Sequence, residues 1–223
     1  MFSMKKTIGL AVLASAASLS MAESAAAQVS GNVALTSNYV WRGQTQSEEE
    51  FAVQGGMDLV KDVFYAGAWA SSVDDFGIDA STELDLYAGV TPKLGPVTLN
   101  LGVIGYFYPN ANSDSDFVEA RAGVSYAPIE ALTLSANAFA SNDYLATGGD
   151  SLYLEASVGY AITDMFAVSG GYGVFDQDSL GSYDTWNVGA SVALHGFKLD
   201  LRYYGNHGLG LDEQVSVTLS RAL

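Results

Sequence analysis

From Val33 to the end of this chain apolar side chains recur at every second residue, in twelve segments. A period of two belongs to a strand, not to a helix. The segments run 33–42, 51–60, 63–73, 82–91, 97–108, 117–127, 132–141, 151–160, 165–174, 184–194, 197–204 and 214–223. Most have about the 9–11 residues that a tilted strand needs to cross a bilayer. One face of each is greasy: Val33, Leu35, Tyr39 and Trp41 in the first; Leu84, Leu86, Ala88 and Val90 in the fourth; Val97, Leu99, Leu101 and Val103 in the fifth; Val215, Val217, Leu219 and Leu223 in the last. A single charge, Arg221, falls on these faces, close to the chain end. The opposite faces carry Asn38, Asp58, Glu83, Asp85, Asn100, Glu119, Arg121, Asn137, Glu155, Asn187, Lys198, Asp200 and Arg202. Lipid outside and water inside select this division. A bilayer cannot satisfy an open sheet edge, so a chain of this kind in a membrane must close into a barrel.

The connections alternate in length. Short ones are 61–62, 92–96, 128–131, 161–164 and 195–196; long ones are 43–50, 74–81, 109–116, 142–150, 175–183 and 205–213. Short turns at one end and long loops at the other match an outer-membrane barrel. Twelve is an even number, which puts both termini on the short-turn, periplasmic side. Aromatic residues mark the segment ends: Tyr39, Trp41, Phe51, Phe107, Tyr172, Trp186 and Tyr203 near long loops, and Tyr126, Tyr160, Phe166 and Phe197 near short turns. Two such belts fit the girdles that anchor a barrel at the membrane interfaces. A soluble β-sandwich also alternates, but it requires neither a charge-free outer face nor loops sorted by end.

Residues 1–27 read as a secretory leader: Lys5 and Lys6, an apolar run from Ile8 to Met21, then Ala25, Ala26 and Ala27 before Gln28. The run is too short for a membrane anchor. Cleavage after Ala27 is expected, with Ala22 as the alternative; residues 28–223 form one barrel domain. The chain has no cysteine, which excludes disulfides and thiolate metal sites. A net charge of -16, from 9 Lys+Arg against 25 Asp+Glu, argues against nucleic acid as a partner.

Several stretches resemble the TorF family of porins, also known as the Gcw-type domain of proteobacteria. They are Gly31-Asn-Val-Ala-Leu-Thr-Ser-Asn-Tyr-Val-Trp-Arg-Gly43, Ala52-Val-Gln-Gly-Gly56, Phe64-Tyr-Ala-Gly67, Glu83-Leu-Asp-Leu-Tyr87 and Gly102-Val-Ile-Gly-Tyr-Phe-Tyr-Pro109. The resemblance is specific in the first half of the mature chain and thinner in the second. It implies an outer-membrane protein with a channel role and names no solute. The ending departs from the usual outer-membrane signal: Leu223 is last and Arg221 stands two before it.

Charge is distributed unevenly. The long loops hold Glu48, Glu49, Glu50, Asp74, Asp75, Asp79, Asp114, Asp116, Asp143, Asp150, Asp176, Asp178, Asp212 and Glu213, and no Lys or Arg. Acidic runs are commonly just solvated loops. A ring of one sign also raises the local concentration of cations. Divalent-cation bridging to lipopolysaccharide is a third reading, without any spaced ligand pattern to support it. The inward positions carry a possible constriction set of Arg42, Asp58, Glu83, Asp85, Glu119, Arg121, Glu155, Lys198, Asp200 and Arg202. Two residues apart on a strand means the same side, which pairs Glu119 with Arg121 and ladders Lys198, Asp200 and Arg202. Mutual neutralisation inside a polar lumen is the plainer account; an ordered constriction that screens solutes is the sharper one. Small inward residues, including Gly56, Ala68, Gly102, Gly123, Ser135, Ser157, Gly171, Gly189 and Ser216, favour water over a packed plug. Tyr87, Tyr106, Tyr108, Tyr153 and Tyr204 also point inward.

The two histidines, His195 in a short turn and His207 in a long loop, fall at opposite ends, so no catalytic triad and no cofactor is expected. The expected protein is therefore a twelve-stranded antiparallel up-and-down transmembrane barrel. Its expected role is passive diffusion of small hydrophilic solutes, with cations favoured. The expected partners are outer-membrane lipid, lipopolysaccharide, small solutes, and the periplasmic chaperones and barrel-assembly machinery. The alternative is a closed-lumen structural or adhesive barrel acting through its loops.

Overall fold

In a computed structural model, residues 27–74, 79–178 and 181–223 are described. The leader up to residue 26 and Asp75 lie outside these residues. Twelve strands form the wall: β1 (Gln28–Thr36), β2 (Ala52–Lys61), β3 (Phe64–Ser72), β4 (Thr82–Val90), β5 (Val97–Phe107), β6 (Phe117–Ile129), β7 (Leu132–Ser141), β8 (Ser151–Ala161), β9 (Phe166–Gln177), β10 (Gly181–Leu194), β11 (Phe197–His207) and β12 (Gln214–Ala222). Each pairs antiparallel with its sequence neighbour. β12 also returns to β1, from Asn32 opposite Ala222 to Thr36 opposite Thr218, so the sheet closes and has no edge.

The faces divide as the alternation requires. Val53, Met57, Leu101, Val103, Val118, Val188, Leu201 and Val215 all point outward and stand exposed. Continuous apolar surface around a whole wall far exceeds what a protein in water exposes; it needs lipid. The buried residues lie inside the barrel and many are polar, among them Thr36, Gln54, Glu83, Glu119, Arg121, Asp200, Arg202 and Ser216. Arg221 faces outward as expected, its guanidinium 5.0 Å from the Phe197 ring centroid.

Tight turns close one end. Lys61 pairs with Phe64, Ile129 with Leu132 and Leu194 with Phe197, leaving two residues in each turn. In the last, His195 and Gly196 both take positive φ (52° and 83°), the type I′ geometry that suits the twist of a hairpin.

Four expectations change. The first segment, read as 33–42, ends as a wall strand at Thr36; Tyr39 and Trp41 lie inside the barrel rather than in the outer aromatic girdle. The loop read as 175–183 is almost wholly strand, since Gln177 pairs with Gly181. Ala68 points outward, because it pairs with the outward Met57; Trp69 takes the inward place, pairing with Gly56 and with Asp85. Finally, a plug exists. The long-loop end of the lumen is filled by an aromatic cluster that includes Tyr106, Tyr108, Phe117, Phe139, Tyr153, Phe175 and Tyr183.

Candidate functional site

The filled half of the lumen is organised around the segment that follows β1. After Thr36 the chain folds back into the barrel and makes a minimal hairpin: Val40 pairs with Thr45 and Trp41 with Gln44. Its tip is Arg42-Gly43, with φ of 48° and 79°. Two successive positive φ values again define a type I′ turn. A side chain in this region costs on the order of 1 kcal/mol, so Arg42 is held there by something stronger. Gly43 has no alternative: a Cβ on it would stand 2.6 Å from the Thr185 hydroxyl on β10.

Asn38 pins the base of the hairpin. Its carbonyl accepts from the Thr36 and Ser216 hydroxyls, both at 2.9 Å. Its amide donates to Gln214 Oε1 at 2.9 Å, and its Oδ1 accepts from the Thr45 hydroxyl at 2.6 Å. Both wall strands at the closing seam thus grip one buried residue.

At the tip, Arg42 Nη1 and Nη2 donate to the two carboxylate oxygens of Glu119 on β6, each at 2.7 Å. The side chains are 4% and 0% exposed. Tyr106 donates to the same carboxylate at 3.0 Å. The guanidinium also lies 4.1 Å from the ring centroid of Trp41, 4.4 Å from that of Tyr153, 4.7 Å from that of Phe175 and 5.0 Å from that of Phe139. A cation over ring faces is attracted by their negative quadrupoles, more so when desolvated. An arginine stays charged even when buried, so the Arg42–Glu119 contact is an ion pair.

Trp41 packs edge-on against Tyr106 and Phe175, at 5.8 and 6.2 Å between centroids. Gln44 donates to the Tyr183 hydroxyl at 2.7 Å, and that hydroxyl donates to the Arg42 carbonyl at 3.1 Å. Tyr39 donates to Glu83 at 2.9 Å and meets Trp69 edge-on. One short segment therefore reaches the wall from β3 round to β12. A 3-10 turn, Tyr144–Ala146, adds a second cover: Tyr144 packs on Phe117 and Phe175.

The other inward charges form separate groups. Glu83 accepts from Tyr39 and from Tyr108, the latter at 3.2 Å, and Asp85 Oδ1 is buried without a hydrogen bond. Glu119 pairs with Arg42, not with Arg121 as the two-residue spacing suggested. Arg121 instead donates to Asn137 at 3.1 Å, and Asn137 donates to Glu155 at 3.0 Å. Lys198, Asp200 and Arg202 do form a ladder, with Arg202 also reaching Asn187 and Ser169. Asp58 accepts from Tyr87 at 2.7 Å. Strands β5 and β11 are six apart in a ring of twelve, so the Glu83, Asp85 and Glu119 side of the lumen faces the Lys198 and Arg202 side.

Toward the tight-turn end the inward residues are less buried, although the Tyr65 and Tyr87 rings fill the space beside Gly89, Gly102 and Gly67. Asn32 is exposed, and Asp58, Gly89, Asn100, Gly102, Gly123 and Lys198 are part-exposed, so water reaches this half. At the other end Glu48, Glu49, Glu50, Asp79, Asp114, Asp116, Asp143, Asp150, Asp176, Asp178, Asp212 and Glu213 are exposed, and Asp74 is half-buried. Among the described residues no three ligating side chains are grouped so as to hold a metal ion.

Phe139, Phe175, Tyr183 and Tyr144 escaped the sequence reading as site residues. The first three carried a signal. Phe139 stands in phase with Ser135 and Asn137, Phe175 with Gly171, and Tyr183 with Asn187: large rings on the polar phase, at the long-loop end. Tyr144, in an irregular loop, carried none.

A closed twelve-stranded wall, greasy outside and polar within, with a loop folded into its lumen, is the architecture of an outer-membrane porin. The chain belongs to the family described as bacterial protein of unknown function (Gcw_chp), which it matches over residues 21–212. No curated protein matches it. Among solved structures it is similar to the KdgM porin in complex with disordered oligogalacturonate, at TM-score 0.62 and 8% identity over 88% of this chain and 98% of that one. It is also similar to the NanC porin, at TM-score 0.59 and 9% identity over 87% of this chain and 98% of that one. A larger porin refined at 1.8 Å is matched over only 62% of its length and 77% of this chain, at 17% identity and TM-score 0.47. These likenesses are of fold.

Proposed function

We propose that this chain is an outer-membrane channel for passive diffusion of small hydrophilic solutes, a TorF-type porin, whose outer entrance is held shut by the Arg42 hairpin. The observation that carries this reading is the divided lumen. A plain structural barrel has no need of a water-reached half lined by polar, charged and tyrosine side chains beneath a separately anchored loop. The acidic outer rim supports a preference for cations. Within the lumen, six of the ten charged positions named above are carboxylates. The KdgM porin was solved with oligogalacturonate, a polyanion; the charge of this lumen suits a cationic or neutral solute instead.

In this reading residues 1–27 are a cleaved leader and both termini are periplasmic, on the tight-turn side. Outer-membrane lipid and lipopolysaccharide surround the greasy belt. Periplasmic chaperones and the barrel-assembly machinery act during biogenesis. One observation favours a second reading, a closed barrel working through its loops: Trp41 meets the wall rings Tyr106 and Phe175 inside the barrel.

Planar bilayers separate the two. Wild-type protein is expected to give small, infrequent, cation-preferring steps, and Glu119→Gln larger and more frequent ones. Membranes that stay silent with both proteins at high loading overturn the channel reading and leave the closed barrel.

A further inference from the structure

We infer that the outer lumen contains a recognition site for a guanidinium-bearing organic cation, occupied in this structure by the chain's own Arg42. The wall supplies every part of it. Glu119 offers both carboxylate oxygens to a planar fork, with the Tyr106 hydroxyl fixing their orientation. Phe139, Tyr153 and Phe175 place three ring faces around the same centre, at 5.0, 4.4 and 4.7 Å. These four residues lie on four successive strands, β6 to β9, so the site is part of the rigid wall. Only Arg42 and Trp41 arrive with the hairpin.

A carboxylate that takes a bidentate fork, inside a box of aromatic faces, is selective chemistry. It matches a flat cation with paired N–H groups better than a spherical metal ion or a point-like ammonium. A neutral planar analogue gains neither the ion pair nor the attraction to the rings. A free guanidinium solute and the hairpin tip therefore compete for one place. Arg42 sits at positive φ, so its departure also relieves an unfavourable backbone conformation. Occupation by solute releases the hairpin; departure of solute lets it return.

The inference rests on the channel reading for the solute's route, but not for binding, and the test keeps the two apart. Arg42→Gly suits the φ of the turn tip and vacates the site. Methylguanidinium and agmatine are titrated into this variant in detergent. Trp41 emission and the temperature of the heat-modifiable gel shift are the readouts. The expected result is a saturable response at millimolar concentration, absent with urea, weaker at least tenfold with tetramethylammonium, and lost when Glu119→Gln is added. Wild-type protein should need at least tenfold more of either probe. If Arg42→Gly does not fold, Arg42→Gln decides by the same titration. No saturable response, or an equal one with urea or with the Glu119→Gln background, overturns the site. Binding with silent bilayers would remove the channel and leave the site; conduction without binding would do the reverse.

Discussion

Glu119 receives both terminal nitrogens of Arg42 at 2.7 Å, although 77 residues separate them in sequence and one belongs to the wall while the other belongs to a loop. The pair closes a distance that no strand pairing dictates. Because both partners are buried, neither can reach water while the hairpin stays in place.

Truncating one partner should therefore be costly. Glu119→Ala leaves a buried guanidinium unpaired and is expected to destabilise the closed form by about 3–5 kcal/mol. Denaturant unfolding in detergent, followed by tryptophan emission, measures it. The double variant Arg42→Ala with Glu119→Ala should recover part of the loss; strict additivity would deny the coupling.

Gly43 tests the fit of the hairpin without touching charge. Gly43→Val places a branched side chain at positive φ against Thr185. The hairpin should be expelled, with Trp41 emission shifting to the red and the conductance of single steps rising. Unchanged emission would mean that the tip has room it does not show.

The acidic rim is tested by neutralisation. The triple change Glu48→Gln, Glu49→Gln and Glu50→Gln removes three exposed charges. The reversal potential across a salt gradient should move toward zero. The effect should shrink at 1 M salt, where screening acts over about 3 Å. A reversal potential that does not move assigns those carboxylates to solubility alone.

The lipid-facing assignment is tested at matched positions. Leu101 points outward and is exposed, while Ser135 points inward. Leu101→Arg is expected to cost about 2–4 kcal/mol if its site lies near the bilayer centre. Ser135→Arg should refold into vesicles with near wild-type yield. Equal losses at both positions would contradict the orientation of the wall.

Much of the wall was legible because alternation is enforced by two solvents. Lipid on one side and water on the other leave each position little choice, and eleven of the twelve segments coincide with strands to within a few residues. The hairpin was not legible because Tyr39, Val40, Trp41 and Arg42 continue the same alternation. A ring that packs inside a lumen looks, in sequence, like a ring that faces lipid. The available clue was Arg42-Gly43 flanked by Val40 and Thr45, a two-residue hairpin pattern in miniature. Of the lumen charges, the Lys198, Asp200 and Arg202 ladder follows from spacing on one strand. The Arg42 partner does not, since spacing favours Arg121 for Glu119, and only the inward fold of the loop decides between them. The three wall rings around Arg42, those of Phe139, Tyr153 and Phe175, come from three strands, a convergence that no single segment displays.

The division of the lumen into a filled half at the long-loop end and a wetted half at the tight-turn end has an electrical consequence. In a planar bilayer under an applied potential, water in the wetted half conducts, so nearly all of the drop falls across the packed half. Arg42 carries its charge into that steep region on the hairpin and not on the wall. Each elementary charge moved through the full drop is worth about 2.3 kcal/mol per 100 mV, a sizeable part of the roughly 3–5 kcal/mol expected for losing the Glu119 partner. Polarity alone would then bias whether the entrance is open, and the current should be larger in one direction than in the other.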